Sequence, residues 1–181
     1  MATATPVHVD PDELVRLAHE ATYRFPEGFP GFRARLRFTS DRDAGEGMVV
    51  LRPGSPPELS IALSDEEERR WLERELASLA SHRFHRPCAA GDGRLEKRLP
   101  PEDGHPLGRL VALEDELDSS YRIGGGLVNE ITRTHGSSRF TIVIQGRAKA
   151  PGGRVVSTAF TVSFWDTASG RLVRSDAYTD E

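Results

Sequence analysis

The chain has 181 residues, 24 basic and 28 acidic, with a net charge of −4. That length suits one domain able to bury roughly 70% of its unfolded surface, so the core needs neither metal nor disulfide, and the single cysteine, Cys88, offers no disulfide framework. The charge balance excludes the broad basic field of a general nucleic-acid binder, and no stretch approaches the ~20 apolar residues that cross a bilayer.

Residues 1–9 read as a flexible tail, and 10–181 as a single domain. Asp10 is a good N-cap, Pro11 suits the first helical position, and Glu13 has capping-box spacing. Leu14, Leu17, Ala18 and Ala21 then recur at helical spacing. The helix should end before Pro26, and residues 25–32 form a turn-rich hinge.

From Phe32 the period falls to two. Phe32, Ala34, Leu36 and Phe38 alternate with Arg33, Arg35 and Arg37, which predicts a half-buried strand. A turn is expected over 41–47, then strands over 48–52 and 58–63. A second helix is expected over 64–82, capped by Ser64 and Glu67, with Leu72, Leu76 and Leu79 as its apolar stripe and Trp71 beside it. Beyond residue 89 strands are expected over 94–99, 109–115, 120–123, 127–134, 139–147, 155–165 and 171–178, separated by glycine-rich turns. Phe140, Ile142 and Ile144 share one face, as do Phe160, Val162 and Phe164. Segregated helices and strands predict α+β architecture: a curved, mainly antiparallel sheet, a half-barrel or cup, packed with two helices.

Candidate chemistry is sparse. His82, His85 and Cys88 are spaced by three and could ligate zinc or copper. Equally, the run from His82 to Cys88 reads as a basic helix end that complements the helix dipole. His135-Gly136 is either a proton carrier at a strand end or a hairpin turn. Gly124-Gly125-Gly126 lacks the lysine and helix of a P-loop and reads as a turn. Arg33, Arg35 and Arg37, with Arg52 and Arg83, form either an anion-binding strip or a solvated sheet face. No serine elbow or catalytic-cysteine signature is present.

Several of these pieces together resemble an uncharacterised domain-of-unknown-function family frequent in cyanobacteria and also found in plant plastids. They are the N-terminal helix leading to Phe29-Pro30-Gly31-Phe32, Arg33 to Arg37, the helix ending in His82-Arg83, the His135-Gly136 turn and the closing strands through Thr179-Asp180. The resemblance spans roughly 12–180 and carries no activity with it. Gly31-Phe32, the alternating strands and the stretch through Gly47 and Pro53 also resemble the start of a lipoprotein-carrier half-barrel. That likeness implies a curved sheet around an apolar cavity.

The expected function is therefore a binding protein for an apolar or amphipathic small molecule held between sheet and helices. Phe38, Trp71, Phe160, Phe164 and Trp165 would form the walls, and Arg83 and His135 would meet a polar head. A histidine-dependent, optionally metal-dependent enzyme using His82, His85 and His135 is the second expectation, and a protein-interaction or assembly factor the third. No cofactor is called for. The N-terminal residues have no basic start followed by an apolar run, which gives a soluble cytoplasmic protein as the expected location.

Overall fold

The structure is a computed structural model that describes residues 10–84 and 95–180. In chain order its elements are α1 (Pro11–Ala21), β1 (Phe32–Thr39), β2 (Ala44–Leu51), β3 (Glu58–Ile61), α2 (Glu66–Arg83), β4 (Lys97–Arg98), β5 (Arg109–Leu113), β6 (Ser120–Gly124), β7 (Leu127–His135), β8 (Ser138–Lys149), β9 (Val155–Asp166) and β10 (Leu172–Thr179). This is α+β, as the segregated periodicities require. The strands divide between two antiparallel sheets, β1-β2-β3 and β10-β9-β8-β7-β6-β5-β4, rather than running through one. The division follows the helices, because each sheet has a helix whose apolar stripe matches it. The chain accordingly forms two compact units, Arg24–His85 and the pair of segments that flank it in sequence.

In the unit Arg24–His85, α2 covers one face of the three-stranded sheet. Leu72 packs with Phe38 and Ile61, and Ala80 with Val49 and Leu51. Leu76 joins both clusters, so the buried stripe of α2 runs 68, 72, 76, 80. Leu79, expected inward, is 38% exposed, because a spacing of four keeps to one line along this helix while 79 falls beside it. The N-cap is Asp65, not Ser64. Its carboxylate accepts from the N–H groups of Glu67 and Glu68, while Asp43 accepts from Asp65 N–H at 2.8 Å and from Ser64 Oγ. The hydrogen bond from Asp65 chiefly holds the Asp43 carboxyl below its usual value.

β2 begins at Ala44, inside the expected turn, because Gly45 and Gly47 serve the strand. A Cβ on Gly47 would meet the Ser60 carbonyl oxygen at 2.0 Å, and one on Gly45 the Ala62 oxygen at 2.7 Å. These glycines let β3 approach closely. The hinge is an aromatic cluster. Phe25 stacks on Phe29 at 4.5 Å and meets Phe32 and Phe84 edge-on, while Phe25 N–H donates to the Arg83 carbonyl at 2.7 Å.

In the other unit, α1 buries Val15 and Ala18 against Val111, Leu113, Tyr121 and Ile123. Asp10 caps it as expected. Leu17 is 45% exposed, since the inward stripe runs through 14, 15 and 18. Lys97 on β4, a buried residue, reaches back to α1, where its Nζ donates to Asp12 Oδ1 at 2.6 Å and to the Leu95 carbonyl at 2.9 Å. The hairpin between β6 and β7 turns on Gly125 and Gly126, both with positive φ (62° and 74°). That is the type I′ geometry most residues avoid.

Candidate functional site

Strand pairing across β7–β10 sorts the side chains by face. Phe140 is opposite Phe164, Ile142 opposite Val162 and Ile144 opposite Phe160. On the flanking strands Arg133 is opposite Phe140 and Ile131 opposite Ile142, while Arg174, Asp176 and Tyr178 are opposite Phe164, Val162 and Phe160. Ring contacts agree with this register. The Phe140 and Phe164 centroids lie 6.2 Å apart, Phe160 stacks on Tyr178 at 4.8 Å, and the Arg174 guanidinium sits 4.6 Å above the Phe164 ring.

This is the same face that carries Tyr121 and Ile131, which α1 covers. The packing of α1 falls on β4 to β7, however, and the buried cluster reaches no further than Ile131. The apolar side chains of β8 and β9 beyond it are all only partly buried. The reverse face is mixed, carrying Val143 and Trp165 among hydroxyl and amide side chains. Thr132 bonds Thr141, Thr161 bonds Gln145, and Ser163 bonds Ser175. A strand with two wet faces has no physical reason to make one of them Phe-Ile-Ile and Phe-Val-Phe. Apolar side chains grouped on one sheet face beyond the reach of a helix are the kind of surface on which interaction sites are built.

One end of this face carries two arginines. Arg133, Phe140, Phe164 and Arg174 form a single row across four strands, and His135 follows two positions beyond Arg133. Arg133 Nε is buried and has no hydrogen-bond acceptor among the described residues. The carboxylates nearby already hold donors. Asp115 accepts from the N–H groups of Leu117 and Ser119, Asp166 from Ser169, and Asp176 pairs with Arg174 at 2.8 Å. Burial works to raise the Asp115 carboxyl, but the hydrogen bonds from Ser119 and Leu117 and the charge of Arg133 outweigh it and hold it below its usual value. The Ser169 hydrogen bonds likewise lower Asp166.

The residues singled out in the sequence divide between the two units. Phe160 and Phe164 lie together on the apolar face, with His135 exposed at its end. Trp165, pairing with Arg139, lies on the opposite face, as the two-residue period of a strand requires. Phe38 and Trp71 belong to the unit Arg24–His85, with ring centroids 6.2 Å apart, and line an open groove of about 610 Å³ together with Arg42, Arg70 and Arg74. Arg83 is on the same helix as Trp71 but about 18 Å further along it, and is not among the residues lining that groove. His82 is exposed beside Arg83. His85 and Cys88 lie outside the described residues, among which no group of three or more His, Cys, Asp or Glu is placed to hold a metal.

Arg33, Arg35 and Arg37 are exposed on one face of β1, with Arg37 paired to Glu46 at 2.8 Å. His135 flanks a two-residue hairpin whose first residue, Gly136, has φ 58°. Sequence reasoning passed over Arg133 and Arg174. Their signal was parity with His135 and with Phe164, readable once the hairpin registers are known.

Among the described residues no helix is long and apolar enough to cross a membrane. No curated protein and no solved structure matches the chain. The match that exists covers residues 7–181, nearly the whole length, and by it the chain belongs to the family described as "Protein of unknown function (DUF3386)".

Proposed function

We propose that the chain is a non-enzymatic binding protein for an apolar or amphipathic small molecule, seated on the β8–β9 face that carries Phe140, Ile142, Ile144, Phe160, Val162 and Phe164. In this reading the seven-stranded sheet acts as an open half-barrel. α1 fills one part of its inner face and the ligand covers the rest. The observation that carries the proposal is the wholly apolar set on one face of β8 and β9, continuous with the core and, among the described residues, beyond the cluster that α1 buries, whereas the other face mixes Thr/Ser pairs with Val143 and Trp165. Burying one valine-sized side chain is worth about 1.5–3 kcal/mol, so losing one such contact is readable as a roughly tenfold change in affinity.

The test uses the neutral fluorescent probe N-phenylnaphthylamine. The wild-type chain should bind it, Val162→Asp should weaken binding roughly tenfold or more, and Ser163→Asp on the polar face should leave it unchanged. No binding by the wild type, or equal effects of the two substitutions, refutes the reading.

A further inference from the structure

We infer that the bound molecule is an amphipathic anion, its acidic head placed at Arg133 and its apolar body running along β8 and β9. This rests on the binding-protein reading above and names the ligand class for that same face.

The asymmetry of donors and acceptors at this end of the face gives the charge. Arg133 stands directly across from Phe140 and two positions from His135, and its Nε–H is buried without an acceptor among the described residues. A buried donor left unpaired costs about 1–3 kcal/mol, and an anionic oxygen is the partner that recovers most, since charge-assisted bonds are the strong ones. Arg174 closes the far side of the same row, above the Phe164 ring. The neighbouring acids cannot play the mirror role for a cationic head. Asp115, Asp166 and Asp176 each already accept from a backbone or side-chain donor.

The body of the ligand follows from the strands. From Phe140 to Ile144 the apolar row runs about 13 Å, the length of a medium-chain acyl tail. Tyr178 over Phe160 marks its other end. The guanidinium does not distinguish a carboxylate from a phosphate monoester, because both offer paired oxygens to it.

Displacement of the neutral probe separates this inference from the reading beneath it. Dodecanoate and dodecyl phosphate are each compared with dodecanol at neutral pH. At least one anion should compete roughly tenfold better than the alcohol, and which one does so identifies the head. Arg133→Gln should abolish that preference, read as the ratio of anion to alcohol competition within the variant, and Arg133→Lys should retain part of it. Should Arg133→Gln fail to fold, the comparison of anion with alcohol in the wild type still decides. If the probe binds but both anions and the alcohol displace it equally, or if the preference survives in Arg133→Gln, the inference is wrong and the binding-protein reading stands. If the probe does not bind, that reading is what fails.

Discussion

Lys97 is the residue whose environment makes the sharpest demand. Its side chain is 1% exposed, yet its partner Asp12 is 68% exposed. Removing Asp12 leaves a buried ammonium with only the Leu95 carbonyl to bond. A fully buried pair broken this way costs about 3–5 kcal/mol, and an exposed pair 0–1. Asp12 already shares its charge with water, so the coupling should lie between, at about 2 kcal/mol. Asp12 also sits in the first turn of α1, where losing a negative charge costs about 0.3–1 kcal/mol more. Asp12→Ala should therefore destabilise by roughly 2–3 kcal/mol, a melting shift of about 5–10 °C for a chain of this size.

Lys97→Met removes the buried charge along with its need for a partner and should stay within about 1 kcal/mol of wild type. The double variant should resemble Lys97→Met. Urea unfolding in a Trp71→Phe background isolates Trp165, the one other tryptophan, which belongs to the same unit as Lys97. If Lys97→Met costs more than Asp12→Ala, or the cycle gives no coupling, the account of this pair is wrong.

Other consequences can be measured in the same way. Leu72→Ala should cost about 2–5 kcal/mol by opening a cavity under α2, whereas Leu79→Ala, on the exposed line, should cost under about 1. Gly31 has φ 98°, and a Cβ there would meet the Leu51 carbonyl oxygen at 2.0 Å. Gly31→Ala should thus destabilise by more than the ~1–2 kcal/mol of left-handed strain alone, which is all that Gly28→Ala, with nothing within 4 Å, should show. Asp103 is held down to about 2, chiefly by its hydrogen bonds from Arg122. Its folded value lies below the unfolded one, so the stability it lends is complete above pH ~4 and is lost as the pH falls toward 2. The gap between wild type and Asp103→Asn, followed by urea midpoints, should close over that interval; a gap constant with pH would show that Asp103 contributes nothing through its charge.

Most elements were legible because each has a clean period and a physical stop. Asp10-Pro11 starts α1, the Phe/Arg alternation makes β1, and glycine pairs divide the last strands. What misled was local glycine chemistry and the choice between adjacent helical lines. Gly45 and Gly47 look like turn signals, and only the closeness of β3 shows why a strand needs them. On α2, 76-79 and 76-80 are equally good steps until the sheet selects one. Assigning the strands to two sheets was beyond local pattern, since pairing is decided by which helix covers which strands. The wall residues were half legible. Parity in sequence groups Phe160 with Phe164 and sets Trp165 apart, but that parity was not applied to the site, and the arginines opposite the two rings become visible only through register.

The apolar face of β8–β9 has two possible kinds of occupant, a small molecule or a protein surface, and the row at its end separates them. A protein partner would be recognised mainly by an exposed charged rim, screened by salt, and the exposed arginines of β1 and the β10 edge with its exposed Val173 are better placed for that. Arg133 differs from these in having a buried donor beside an aromatic ring. A slender amphipathic anion can meet that donor and the apolar strip together. Salt offers the deciding comparison: a desolvated head at Arg133 should lose little affinity between low and physiological ionic strength, whereas contacts through the exposed arginines should weaken markedly. A strong salt dependence of dodecanoate or dodecyl phosphate binding would place the head away from the buried donor and refute the role given to Arg133.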